Sequence, residues 1–310
     1  MNPADPERGP EFPEADTDTS RDFLLPPQES AESGVPDSTL PPPLPEGHPP
    51  IHSSISIEPR DSGSPLAWKD LIYLLLFYFV SGELLTLVVA LAAKIVFHIP
   101  FSQLQDLAGS GASVAIVSQA LLSFATLAFL YVIVRVRSGA PFWPAVGWRA
   151  FRGITSRAAT MIRYVLVGLG LALLVSVVSK YLDNDKTLPM EELFRNRQTV
   201  VMLMVLGILV APFIEETLFR GCLYPVIARR FGIPAGIVVT GVLFGLAHAP
   251  QLWGGWGQIA LLMGVGMVLT YIRARAGTVA ASYCVHVSYN SILFVGLFFA
   301  TGGLRHFPTT

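Results

Sequence analysis

Charged side chains are scarce in this 310-residue chain: Asp, Glu, Lys and Arg together make up 14% of it, against 52% hydrophobic residues. Soluble domains carry about a quarter charged residues, so a water-soluble globular domain does not describe the whole. Cysteine is scarcer still. Cys222 and Cys284 stand alone with no spacing pattern, which argues against a disulfide framework and makes them small packing residues. The N-terminal stretch Met1-Asn2-Pro3-Ala4-Asp5 leads into no apolar core, and no cleavable signal peptide is expected. The soluble zinc-protease signature His-Glu-x-x-His does not occur, and nothing resembles a tandem repeat.

Long apolar stretches are abundant, and they set the fold class. A spanning helix needs about 20 apolar residues to cross about 30 Å of hydrocarbon. Seven candidate spans meet that standard, at about 70–97, 113–135, 161–181, 199–229, 233–249, 257–273 and 278–301. The chain therefore reads as an all-α polytopic membrane protein, a bundle of about seven transmembrane helices with an active site between the later ones. The fourth span is long, and its C-terminal end is expected to project into water or lie along the interface. The net charge of −1 averages two unlike regions: residues 1–65 hold thirteen acids and three arginines, and residues 66–310 hold nine acids and eighteen basic residues. The first region, with runs such as Pro41-Pro42-Pro43, reads as a disordered Pro-rich acidic tail. His48 and His52 lie there among prolines, so a helical metal pair is not expected. The second region, 66–310, is the transmembrane domain.

Basic residues fall on alternate sides of the spans. Lys69 precedes the first; Arg135, Arg137, Arg149, Arg152, Arg157 and Arg163 follow the second; Arg229 and Arg230 follow the fourth; Arg273 and Arg275 follow the sixth. The opposite loops are mixed in charge, as at Asp183, Asp185, Lys186, Glu191, Glu192 and Arg195. The positive-inside rule then puts the N-terminus in the cytoplasm. Trp143, Trp148, Trp253 and Trp256 sit at span ends, where interfacial aromatics belong.

Of the nine acids in 66–310, only Glu83, Glu215 and Glu216 lie within apolar segments. Each charged group near the middle of a span costs about 2.5–3.5 kcal/mol on insertion scales, so such groups are paired, face a cavity or do chemistry. Glu216 and Arg220 are i,i+4 with the acid N-terminal, the favourable order for an ion pair. Glu215 is turned about 100° away from Glu216. One acid is then neutralised while the other faces something else, as a general base would; a buried network in which both pair with Arg220 is the structural alternative. Pro212 should bend the span just before Glu215 by removing a hydrogen bond to the Ile208 carbonyl.

Two further clusters lie on later spans. Gly241 and Gly245 form a surface for close helix approach, and Phe244 and His248 share a face at i,i+4. His286 and Asn290 also lie at i,i+4. Either cluster alone is compatible with packing or helix–helix hydrogen bonding. Counted from Gly232, Glu215 is 17 residues back and His248 is 16 forward, so an antiparallel hairpin brings them to one height. His286 lies nearer its own turn and would fall roughly 10 Å short unless the Arg229–Arg230 hairpin protrudes. A carboxylate, two imidazoles and an amide in a low-dielectric cavity suit water-mediated hydrolysis. Glu215 would take a proton from water oriented by His248, and His286 and Asn290 would stabilise an oxyanion. The same Glu and His atoms could instead ligate a divalent metal such as zinc, with Glu215, His248 and His286 as ligands.

These residues resemble the three motifs of the CAAX-protease and bacteriocin-processing family, the CPBP or Abi family of intramembrane proteases. Glu-Glu-x-x-x-Arg appears as Glu215-Glu216-Thr217-Leu218-Phe219-Arg220. Phe-x-x-x-His appears as Phe244-Gly245-Leu246-Ala247-His248, and His-x-x-x-Asn/Asp as His286-Val287-Ser288-Tyr289-Asn290. Phe219-Arg220-Gly221 matches the usual continuation, and the resemblance covers about residues 195–300. It implies Glu215 as the activating glutamate, His248 as its partner, His286 and Asn290 at the oxyanion, and Glu216, Arg220 and Phe244 as support. It implies an endopeptidase of glutamate or metalloprotease type acting on a membrane-embedded or lipidated protein or peptide in the bilayer, with no nucleic-acid partner. Two other readings use the same residues: a non-proteolytic membrane scaffold or bacteriocin-immunity protein, and a proton-coupled transporter. The transporter is disfavoured because seven unequal spans show no inverted repeat. Glu83 has no catalytic role in any of these; it would meet a bundle cation or line a lateral entrance.

Overall fold

The computed structural model describes residues 65–104, 110–151, 157–182, 188–189 and 197–300. The predicted acidic tail with His48 and His52, and the mixed-charge loop from Asp183 to Arg195 apart from residues 188–189, lie outside the described residues. Helices carry nearly all of what is described, and no strand occurs among the described residues. The principal helices are α1 (Trp68–Val96), α2 (Ser110–Ser138), α3 (Arg157–Ser179), α4 (Arg197–Phe231), α5 (Ile233–Ala247), α6 (Trp256–Ala276) and α7 (Val279–Ala300). Six are long and apolar enough to cross a membrane. The chain is a polytopic helical membrane protein.

The fifth predicted span is the exception. α5 has 15 residues, about 22 Å at 1.5 Å per residue, too short to cross the hydrocarbon layer alone. It ends at Ala247 because His248 (φ −92°, ψ −1°) leaves helical geometry and turns through Ala249-Pro250 follow. The 35-residue α4 carries its last turns against the bundle. Its last segment does not project freely: Tyr224 to Ala228 are buried, packed along α5, and only Arg229, Arg230 and Phe231 are exposed. Gly232, at φ +86°, makes the reversal between the two helices, a conformation glycine adopts without steric cost.

α1 packs on α2 and otherwise presents apolar side chains such as Ile72, Leu76, Phe79 and Leu87 outward. Such a face would be an aggregation surface in water and is a lipid-facing surface in a bilayer. Asp70 fastens this pair at one end. Its carboxylate accepts from the Ala67 N–H at 2.7 Å, capping α1, and pairs with Arg137 near the end of α2 at 3.2 Å. One apolar core joins Leu130 and Val134 of α2 to Phe142, Val146, Cys222 and Val226; a second joins Ala172 of α3 to Val265, Leu269, Val285 and Tyr289. Both cysteines are free, Cys222 fully buried.

Small residues set the closest helix approaches. A Cβ added to Gly241 would stand 2.6 Å from the Met267 backbone nitrogen, and one on Gly245 2.7 Å from that of Met263. The predicted Gly241/Gly245 surface therefore receives α6 backbone to backbone. Two tryptophan expectations separate here. Trp253 and Trp256 are exposed before and at the start of α6, whereas Trp148 is half-buried, tilted against Phe213 and edge-on to Tyr283, and donates its indole N–H to Thr217 Oγ1 at 2.9 Å. Arg273 also differs from a solvent-facing loop charge: it is 1% exposed, with its guanidinium 6.0 Å from the Tyr224 ring.

Candidate active site

The site begins with an irregularity in α4. Leu206–Val210 and Thr217–Leu223 are π-helical, and the α-helical segment Ala211–Glu216 lies between them. A π segment holds one residue more than an α turn and is common at functional sites. Ala211 N–H reaches back five residues to the Leu206 carbonyl, and Tyr224 N–H does the same to Phe219. Pro212 is thus accommodated by a wide turn in which bonds run i→i−5. The Gly207 carbonyl accepts the Asn290 amide at 2.7 Å, and the Leu209 carbonyl accepts the Tyr283 hydroxyl at 3.3 Å.

Between the two wide turns, the adjacent acids point to different surroundings. Glu216 is fully buried; its Oε1 accepts from Arg220 Nη1 at 2.9 Å and lies 2.9 Å from His286 Nδ1. Among the described residues no hydrogen-bond partner reaches its Oε2, and the neighbouring Ser282 hydroxyl is directed to the Val279 carbonyl at 3.1 Å. Arg220, also fully buried, donates to the Gly266 carbonyl at 2.8 Å and to Thr270 Oγ1 at 3.2 Å, and lies over the Phe244 ring with its Cζ 4.5 Å from the centroid. Every face of the guanidinium is engaged with α4, α5 or α6. This buried cation and its carboxylate fix three helices around one point.

Glu215 faces the other way, with its side chain 27% exposed. Its Oε1 is 4.0 Å from His248 Nε2, and its Oε2 is 3.7 Å from His286 Nε2. His248 closes the end of α5, and its Nδ1 lies 2.8 Å from the Phe244 carbonyl. A carbonyl only accepts, so this Nδ1 carries a proton, and Nε2 is the ring atom turned toward Glu215. Phe244 packs between the imidazoles, its ring centroid 4.8 Å from His248 and 5.7 Å from His286. The structure thus brings Glu215, His248 and His286 together around Phe244, with Glu216 and Arg220 behind them. The anticipated shortfall in the height of His286 does not occur.

Asn290 is placed differently. Its amide nitrogen is directed to the Gly207 carbonyl and not to the gap between Glu215 and His248. Among the described residues, no group of three His, Cys, Asp or Glu is found disposed to hold a metal ion. Glu83 lines a cavity of about 370 Å³ between α1 and α2 with Tyr78, Ser118 and Gln119. Trp148, Thr217, Gly207, Gly266 and Thr270 were not anticipated. Only Thr217, inside the Glu-Glu motif, carried a sequence signal; the others act through backbone carbonyls or from a distant segment.

No curated protein and no solved structure matches the chain. Residues 197–292 match the family model described as Type II CAAX prenyl endopeptidase Rce1-like. That segment runs from the start of α4 into α7 and contains every residue of the three motifs. With the motif residues of α4, α5 and α7 converging on one polar centre, this segment is similar to the Rce1-like type II CAAX prenyl endopeptidases that the family model describes.

Proposed function

We propose that the protein is an intramembrane endopeptidase in which Glu215 activates water for attack on a peptide bond near the membrane. One observation carries the reading: of two adjacent acids, Glu216 is neutralised by Arg220 at 2.9 Å, while Glu215 keeps partial exposure and faces two imidazole Nε2 atoms at 4.0 and 3.7 Å. The first gap is too long for a direct hydrogen bond and suits a single bridging water. Such a water gives one hydrogen to Glu215 Oε1 and the other to His248 Nε2, leaving an oxygen lone pair for the carbonyl carbon. As the oxygen–carbon bond forms, Glu215 takes the proton; as the C–N bond breaks, it returns the proton to the departing nitrogen. His286 is held through Nδ1 by the Glu216 carboxylate, which fixes the ring with Nε2 toward the site, where an Nε2–H would donate to the developing oxyanion. Low dielectric around the site strengthens that donation.

The family description points to a lipidated C-terminal peptide as substrate class. Basic residues such as Arg135 and Arg137 favour a cytoplasmic N-terminus. The test uses purified protein in proteoliposomes with peptides ending in a prenylated cysteine followed by three residues, and the same peptides without the prenyl group. A new C-terminus found by mass spectrometry, unaffected by a chelator, is the expected result. Absence of cleavage with every peptide, or loss of cleavage on chelation restored by zinc, contradicts the reading.

A further inference from the structure

Pro212 removes a donor that the backbone of α4 needs, and the structure shows where the replacement comes from. In an α-helix, the Gly207 carbonyl would accept from the N–H of Ala211; in a π turn it would accept from residue 212. Ala211 N–H is used by the Leu206 carbonyl, and residue 212 is a proline with no N–H. Both local donors are therefore lost to Gly207. Gly207 is half-buried, and a carbonyl left without a donor is costly where no water is available to replace it, as within a bilayer. Asn290 Nδ2 fills the vacancy at 2.7 Å from α7. A small residue at position 207 eases the approach, because an added Cβ would stand 3.1 Å from the Phe294 ring, one turn beyond Asn290.

We propose that Asn290 is a positioning residue: its carboxamide caps the carbonyl orphaned by Pro212, and so holds the wide turn that aims Glu215 at His248 and His286. A π turn carries one extra residue, so its collapse to α geometry rotates everything beyond it by about 100° relative to the preceding helix. Glu215 lies only five residues beyond Val210, where the turn ends. Such a rotation would carry its carboxylate off the imidazole pair. The catalytic half of this proposal rests on Glu215 as the activating base; the capping half rests on the hydrogen-bond pattern alone.

The two halves are tested by one mutant cycle with two readouts. Asn290→Ala is made in the natural background and together with Pro212→Ala, which restores an N–H at position 212. Thermal midpoints are measured in detergent micelles at a single scan rate without substrate, and kcat and KM with a cleaved peptide. With Pro212 present, Asn290→Ala is expected to lower the midpoint by roughly 2–6 °C. It is also expected to lower kcat by at least about tenfold while KM stays within about twofold, as misplacement of a catalytic group does. In the Pro212→Ala background, both effects should shrink to less than half. Equal midpoint losses in the two backgrounds would overturn the cap, whatever the activity. Coupled midpoints with an undiminished kcat loss would overturn the positioning role and return Asn290 to direct contact with the oxyanion. Because the midpoint cycle uses no substrate, it stands or falls separately from the proteolytic reading.

Discussion

Replacing Arg220 by methionine isolates the energetics of the buried charge network. The arginine donates to Glu216 at 2.9 Å, to Gly266 at 2.8 Å and to Thr270 at 3.2 Å, with no part of its side chain exposed. Not all of this is lost in the variant. The Gly266 carbonyl keeps the Thr270 hydroxyl at 2.7 Å, so it is not orphaned, and methionine retains most of the packing against Phe244. The dominant cost is the Glu216 carboxylate, left buried with His286 as its remaining partner. Breaking a buried pair in this way costs about 3–5 kcal/mol. At roughly 2–4 °C per kcal/mol, the thermal midpoint should fall by about 6–20 °C. Changing Glu216 to leucine as well removes the stranded charge, so the double variant should be more stable than Arg220→Met alone. Tryptophan fluorescence during thermal denaturation in micelles measures all three proteins. A midpoint within about 2 °C of the natural protein for Arg220→Met, or strictly additive losses in the double variant, would refute the view that this pair is the keystone of the site.

Four further variants have outcomes set by the same geometry. Gly245→Ala should destabilise by about 1–3 kcal/mol, because its Cβ meets the Met263 backbone at 2.7 Å and a backbone cannot turn aside. Gly264→Ala, with nothing within 4 Å, should be neutral or stabilising by up to about 1 kcal/mol, and denaturation midpoints compare the two. His248→Phe should preserve the aromatic packing against Phe244 at 4.8 Å yet lower kcat by about 10²-fold, since it removes the Nε2 acceptor; steady-state cleavage kinetics measure this. Trp148→Phe, which loses the 2.9 Å bond to Thr217 but keeps a ring near Phe213, should cost about 0.5–1.5 kcal/mol and leave KM unchanged; denaturation midpoints and the same kinetics check both.

The features legible in sequence are those with a local signature. Apolar length marks the helices, and i,i+4 spacing marks the Glu216–Arg220 pair, because both depend only on helix periodicity. Equal residue counts from Gly232 bring Glu215 and His248 to one height. The features that escape depend on an altered register or on contacts remote in sequence. Nothing in Leu206–Val210 announces a π turn, so α-helical counting from Pro212 points to the Ile208 carbonyl and does not reveal that Gly207 takes a donor from α7. The same change of register accompanies the disappearance of the His286 misfit and the turn of Asn290 to backbone. α5 reads as a full span because its hydropathy continues to Ala249; His248 ends it earlier by closing onto the Phe244 carbonyl. Arg273 illustrates another limit: a basic residue at a span end satisfies the positive-inside pattern whether it is solvated or, as here, buried beneath the segment containing Gly147, where an added Cβ would meet its guanidinium at 2.6 Å.

The central claim is that Glu215, and not its neighbour, activates water. The most direct measurement is peptide cleavage by Glu215→Gln in proteoliposomes, with its thermal midpoint recorded alongside. Glutamine has nearly the same shape but cannot take the proton, and Glu215 bears no part of the Arg220 hydrogen-bond network. The account predicts a loss of at least about 10³-fold in kcat with the midpoint within about 2 °C of the natural protein. Retention of more than about a tenth of the natural rate in the folded variant would contradict it.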